Sequence, residues 1–192
     1  MKTQKVITWI IILVIIDQAI KILIHNVYGD IHFDIIPNLI EFKPTFNVKH
    51  SWVNSLLNKN FGINIGLAPH VILYLMIGFL VPLYFSYFRN KISSDKTIID
   101  IATIFMMAAI VCALIGNIVW TKGTLDYIYL KPWFVFDLKD VYIDFGIVMF
   151  LVYAFKNRMQ LEQSTKGAKV KVVYMETINR IKEKKNQKNA CT

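Results

Sequence analysis

The sequence predicts an all-α integral membrane protein: four transmembrane helices, with a small extramembrane β-rich lobe between helices 1 and 2. Three observations predict it. Of 192 residues, 55% are hydrophobic and 18% charged, with a mean hydropathy of +0.45, and soluble domains of this length do not carry such uninterrupted apolar runs. The apolar residues collect into four long segments, each read as a span. The 22 Lys and Arg are unevenly placed: two precede the first segment, three lie in 89–97 and ten lie from Lys156 onward, against seven elsewhere.

Residues 6–24, VITWIIILVIIDQAIKILI, are the first span. Lys2 and Lys5 give it a basic start that a cleavable signal peptide would share. No small-residue cleavage site follows, and Asp17, Gln18 and Lys21 fall inside the run, which argues for a retained helix. Asp17 and Lys21 are four apart, share one helix face and can pair. The plainer alternative is that Lys21 snorkels to the interface and Asp17 merely neutralises it.

Residues 25–66 carry no span and form the outer lobe. IHFDIIP and LIEFKPTF alternate loosely enough for short strands, punctuated by Pro37 and Pro44, and a loop or short helix is expected near Ser55–Asn60. Residues 68–88 are the second span, with Pro82 as a possible kink. Residues 89–97, RNKISSDKT, are a polar turn, and 98–120 are the third span. Ala108, Ala109, Ala113 and Gly116 put small residues on that span, which suits close packing in lipid, with Cys112 among them as a packing residue. The fourth span is 140–155. These pieces make one membrane domain, 1–156, followed by a basic tail, 157–192. The tail either forms a helix near Val172–Lys184 on an anionic lipid surface or stays solvated.

Basic residues favour the cytoplasmic side. Both termini and the 89–97 turn are therefore expected in the cytoplasm, and the 25–66 lobe and the 121–139 loop outside. Cys112 and Cys191 are too far apart to suggest a disulfide framework, and the four histidines show no ligand spacing, so no metal site is expected.

The stretch richest in chemistry is Gly116 to Asp140, GNIVWTKGTLDYIYLKPWFVFDLKD. It holds Asp126, Asp137 and Asp140, with five aromatic residues from Tyr127 to Phe136. A carboxylate where a membrane helix begins is costly to desolvate and calls for a reason. Two carboxylates brought together share one proton: one ionises readily and the other holds its hydrogen. That is the equipment for activating water against an amide. Each aspartate also has a plain structural reading. Asp126 would shape a turn after Gly123-Thr124, and Asp140 would cap the fourth helix. Asp144, one helical turn beyond Asp140, would face water or add negative charge to the pair. Trp52, Trp120 and Trp133 suit the membrane interface.

Five segments, in order, resemble the lipoprotein signal peptidases, or type II signal peptidases, and this chain is identified as a divergent member of that family. Asp17-Gln18-Ala19-Ile20-Lys21 matches the pattern D-Q-x-x-K. Around Phe46 to Trp52 the match to N-x-G-[AS]-[AS]-F is confined to Asn47, Ser51 and loosely Trp52. Gly116-Asn117 matches the start of G-N-x-x-D-R, but Trp120-Thr121 replaces its Asp-Arg. Leu125-Asp126-Tyr127-Ile128 is a conservative match to the next motif. Phe136-Asp137-Leu138-Lys139-Asp140 keeps the Phe and final Asp of F-N-x-A-D and replaces the Asn and Ala. The resemblance covers roughly 6–156.

The resemblance implies a bacterial cytoplasmic-membrane aspartyl endopeptidase that removes signal peptides from diacylglyceryl-modified prolipoproteins. It implies Asp126 and Asp140 as the catalytic pair, Asp17, Lys21 and Asn117 as supporting groups, and Asn47 as a substrate contact. No cofactor and no metal are implied. The expected partners are the lipid-modified prolipoprotein and membrane lipid, with no nucleic acid, and the chain is expected to act as a monomer. The lost Asp-Arg normally buttresses the site; Lys122 is near enough in sequence to supply a cation, and Lys139 would depress the pKa of Asp140 if it points inward. Two rival readings stay open: a weakened or inactive relative that binds lipidated peptides, which the departures favour, and a small membrane transporter component using intramembrane Asp17, Lys21 and Asp140 as a relay. The lack of an internal repeat disfavours the transporter.

Overall fold

The computed structural model describes residues 1–49, 51–91, 96–120, 123–160 and 162. Helix α1 runs Thr3–Leu23 and continues into a single π-helical turn, Ile24–Tyr28. Strands β1 (Phe33–Ile36) and β2 (Ile40–Asn47) follow, then α2 (Trp52–Phe61), α3 (Leu67–Lys91), α4 (Thr97–Ile118), β3 (Thr124–Leu130), β4 (Phe134–Phe136) and α5 (Leu138–Lys156). Among the described residues, three helices are long and apolar enough to cross a membrane: Thr3–Tyr28, Leu67–Asn90 and Thr97–Ile118. Their 22 to 26 residues correspond to lengths of about 33–39 Å at the α-helical rise, enough for a bilayer core. The 140–155 segment expected as a fourth span is helical, as α5, starting two residues earlier, but it is not among these three spanning-length helices. The expected short helix near Ser55–Asn60 forms as α2, capped by the Ser51 hydroxyl, which accepts from the Asn54 N–H at 3.1 Å.

Helix α4 packs against α1, α3 and α5. Its small residues permit this: Ala102, Ala108, Ala109 and Cys112 are fully buried. Gly146 on α5 sits against Met106, and a Cβ there would fall 2.7 Å from Met106 Cγ. Buried tyrosine hydroxyls find backbone acceptors, Tyr142 on Leu13 O at 3.2 Å and Tyr153 on Phe88 O at 3.0 Å. Near the start of α4, Asp100 is buried and paired with Arg89 Nε at 2.7 Å and with the Met1 amine, so its charge is neutralised inside the packing. The outward faces stay apolar, with Ile15, Phe79, Leu151 and Phe155 all exposed. In water such faces would be an aggregation hazard; against lipid they are the expected surface.

The β-rich part departs from the expected lobe. The 25–66 segment does give β1 and β2, but the sheet has four antiparallel strands in the order β1-β2-β3-β4, and half of it comes from the stretch read as the 121–139 loop. Strand β2 would otherwise present an unpaired edge, and β3 covers it. Gly123 makes the junction possible. Its φ is +95°, and a Cβ there would lie 2.4 Å from the Asn47 carbonyl oxygen, so only glycine admits the β2–β3 contact. Leu125 and Tyr127 pack with Ile24 and Leu138 beneath the sheet. The possible helix over Val172–Lys184 and the cation expected of Lys122 lie outside the described residues.

Candidate active site

Strand parity sets the first relation. In an antiparallel pair, alternate residues share a face. Thr45 pairs with Asp126 and Asn47 with Thr124, so Asn47 and Asp126 are diagonal neighbours on one face. The Asn47 side-chain amide donates to Asp126 Oδ2 at 3.2 Å. On that side a cleft of about 390 Å³ opens, lined by Asn47, Lys49, Lys59, Asp126 and Trp133 among others.

The hairpin sets the second relation. Leu130 pairs with Phe134, so the chain reverses at Lys131–Trp133 and returns toward Asp126. It then enters α5. One carboxylate oxygen each from Asp126, Asp137 and Asp140 come within 4.8 Å of one another. The fourteen-residue separation of Asp126 and Asp140 is closed by β3 and β4, not by an irregular loop.

Asp137, not Asp140, is the helix N-cap. Its backbone is extended, and the two aspartates form a reciprocal capping box: Asp137 Oδ1 accepts from Asp140 N at 3.3 Å, and Asp140 Oδ2 accepts from Asp137 N at 3.1 Å. Asp140 is thereby fixed in the first turn with its side chain 39% exposed. Asp126 is buried at 3% and Asp137 at 1%.

Lys139 fills the space between the three carboxylates. Its Nζ lies 3.0 Å from Asp126 Oδ1, 2.8 Å from Asp137 Oδ1 and 3.3 Å from Asp140 Oδ2. The position three carboxylates could offer to a metal ion is taken by an ammonium. Lys21 makes the next link, 2.8 Å from Asp17 Oδ2 and 2.7 Å from Asp137 Oδ2, with all three side chains fully buried. Charges thus alternate from Asp17 through Lys21, Asp137 and Lys139 to Asp126 and Asp140. Burial would raise the pKa of Asp137, but Lys139 and Lys21 outweigh it and hold it below the usual carboxylate range. Burial dominates at Asp126 and pushes its pKa up, with Lys139 opposing and Asp137 assisting.

The other expected residues fall around this centre. Asp17 pairs with Lys21, as its spacing predicted, and also accepts from Gln18 Nε2 at 2.8 Å. It reaches the aspartates only through Lys21 and Asp137. Asn117 donates to Ala113 O at 2.8 Å and shares a hydrogen bond with Tyr74, which lies within electrostatic reach of Lys139, Asp140 and Asp126. Asp144 is exposed and belongs to none of the ion pairs of the cluster. Trp120 packs inward against His25, with ring centroids 5.3 Å apart, and its indole N–H reaches Gln18 Oε1 at 3.4 Å. Trp133 is exposed at 73%, as an interface anchor would be; the Trp52 side chain lies outside the described residues. Sequence reasoning placed Lys139 beside Asp140 without seeing that it joins all three carboxylates, and it missed the structural weight of Asp137 and Tyr74. The available signal was the Asp137-x-Lys139 spacing, because charges at the head of an apolar helix need partners.

The chain belongs to the signal peptidase II family: that family's model, described as Signal peptidase (SPase) II, matches residues 9–156. Family and apolar helices together make it a membrane-embedded protein of the signal peptidase class, a hydrolase of the protease type. Two solved structures are similar. One, described as a bacterial membrane enzyme structure obtained by the in meso method at 2.3 Å resolution, has a TM-score of 0.58 and 19% identity, over 82% of this chain and 91% of that one. Another, described in the same words at 1.9 Å resolution, has a TM-score of 0.60 and 19% identity, over 81% of this chain and 96% of that one. At this identity the likeness is one of fold. The comparison with curated proteins found no match.

Proposed function

We propose that this protein is an aspartyl endopeptidase of the bacterial cytoplasmic membrane that removes signal peptides from diacylglyceryl-modified prolipoproteins, with Asp126 and Asp140 as the pair that activates water. The carrying observation is the convergence of these two carboxylates through the β3–β4 hairpin, beside a cleft that Asp126 lines. One aspartate, ionised, takes a proton from water, whose oxygen attacks the scissile carbonyl carbon. The other, protonated, hydrogen-bonds the carbonyl oxygen. Collapse of the tetrahedral intermediate breaks the C–N bond, and the proton passes to the leaving amine. Asn47 fixes Asp126 from the sheet side and borders the cleft where the peptide would lie. Asp17, Lys21 and Asn117 support the site from α1 and α4.

In this reading α1, α3, α4 and α5 all span the bilayer. Both termini are cytoplasmic, and the sheet and carboxylates lie at the outer face, where acyl chains stay in lipid while the peptide bond meets water. The uneven basic residues support that orientation. The test is a gel-shift cleavage assay on a diacylglyceryl-modified precursor with wild type, Asp126→Asn and Asp140→Asn. Cleavage by wild type and its loss in both variants is expected; near-full rate in either variant refutes the pair.

One observation favours a second reading, a weakened or inactive relative that binds lipidated peptides. Lys139 contacts both aspartates, where a shared proton and a water would otherwise sit. A wild type that binds a lipidated precursor without cutting it would establish that reading.

A further inference from the structure

An ammonium has three N–H donors. Those of Lys139 have one carboxylate each, on Asp126, Asp137 and Asp140, at 2.8 to 3.3 Å. A helical side chain leans back toward the helix N-terminus, which carries Lys139 from the first turn of α5 over the Asp137 cap and toward β3. Asp137 cannot drift from it, because Asp137 is held on its other oxygen by Lys21 at 2.7 Å. The lysine is therefore a fixed part of the cluster, not a mobile surface cation.

We propose that Lys139 is a positioning residue of the Asp126–Asp140 pair, a built-in counter-ion that ties the two carboxylates together and is anchored there by Asp137. This rests on the Asp126/Asp140 reading above. Without Lys139, three buried or half-buried carboxylates would face one another, with Lys21 and Asp17 behind Asp137 and Tyr74 within electrostatic reach. Protons would then be retained to higher pH. Asp137 and Lys139 replace an asparagine and an alanine of the family pattern together, one adding a negative and one a positive charge. The lysine and its anchor thus form a charge-neutral unit. Its consequence is that the pair loses its protons at lower pH than it would without the lysine.

The test compares wild type, Lys139→Met and Asp137→Asn/Lys139→Met in lipid nanodiscs. Methionine keeps the apolar stem and removes the charge. The double variant conserves net charge and keeps the test valid if the single variant misfolds. The first readout is the infrared band of protonated carboxyl groups, titrated from acid to alkaline pH and assigned by loss in Asp126→Asn and Asp140→Asn. The band is expected to disappear at a pH about one unit higher in the double variant than in wild type, a tenfold change in proton affinity, and higher still in Lys139→Met. The second readout is the pH profile of precursor cleavage, whose acid limb should move upward by the same amount. An infrared midpoint unchanged in the double variant overturns the proposal, as does a midpoint that moves while the acid limb of cleavage stays in place. A midpoint that moves in the double variant, when wild type itself cuts no precursor, supports the role of Lys139 and rejects the peptidase reading.

Discussion

Lys21 on α1 and Asp137 at the head of α5 form an ion pair of 2.7 Å between side chains with no exposure to solvent. It ties the first and last long helices across α4. Removing one partner of a buried pair strands the other charge, which costs about 3–5 kcal/mol. Lys21→Met is therefore expected to lower the unfolding midpoint in detergent sharply. Asp17→Asn should be milder, because Lys21 keeps Asp137. Equal effects from both would show that Lys21 serves Asp17 alone.

The long helices were legible because spanning needs nothing but length and apolarity, and α1, α3 and α4 satisfy both. Strands β1 and β2 were legible from alternation. Strands β3 and β4 were not: Asp126, Lys131 and Pro132 make 124–136 look like a loop, and its strand character comes from covering the edge of β2. At the site, the pairing of Asp17 with Lys21 followed from spacing alone. The choice of N-cap did not, because Asp137 and Asp140 both suit the role and only backbone geometry separates them. Nor did the bond between Asn47 and Asp126, which depends on a register between strands 79 residues apart.

Gly123 tests the sheet junction. Gly123→Ala would combine a left-handed φ of +95° with a Cβ 2.4 Å from the Asn47 carbonyl, an expected loss of about 1–3 kcal/mol or more. Because the strain falls on the strand pair that carries Asn47 and Asp126, cleavage should fall along with thermal stability. An unchanged melting temperature would mean that the β2–β3 contact is looser than 2.4 Å implies.

Asn47 offers a finer probe. Its amide gives Asp126 a neutral donor at 3.2 Å, and hydrogen bonds to charged groups are worth about 1.5–3 kcal/mol. Asn47→Ala should reduce cleavage roughly 10- to 100-fold while leaving the fold intact. If the loss lies in kcat, Asn47 positions Asp126; if it lies in KM, its main role is contact with the substrate.

The proposed orientation is checked by labelling. In a background of Cys112→Ala and Cys191→Ser, a cysteine at exposed Asn60 should react with a membrane-impermeant maleimide in intact cells. One at exposed Asn90 should react only after permeabilisation. Reaction of both in intact cells would overturn the four-span arrangement.

Asp126 carries a pH dependence whose sign is fixed by its surroundings. Burial raises its pKa above the ordinary 3.8, so the folded protein holds this proton more tightly than the unfolded chain. Its contribution to stability is then fully present below pH 3.8 and is lost as pH rises through the higher folded value. Above that value the folded state bears the cost of an ionised buried carboxylate that Lys139 and Asn47 only partly offset. Asp126→Asn removes the ionisation and keeps the shape, while Lys139 retains Asp137 and Asp140 as partners. The variant should therefore be more stable than wild type near neutral pH, and the gain should shrink as pH falls toward 4. Unfolding midpoints of both proteins between pH 4 and 8 measure it. A gain that grows as pH falls would mean that the ion pair with Lys139 outweighs burial at Asp126, and the order of the two effects at the centre of the site would be reversed.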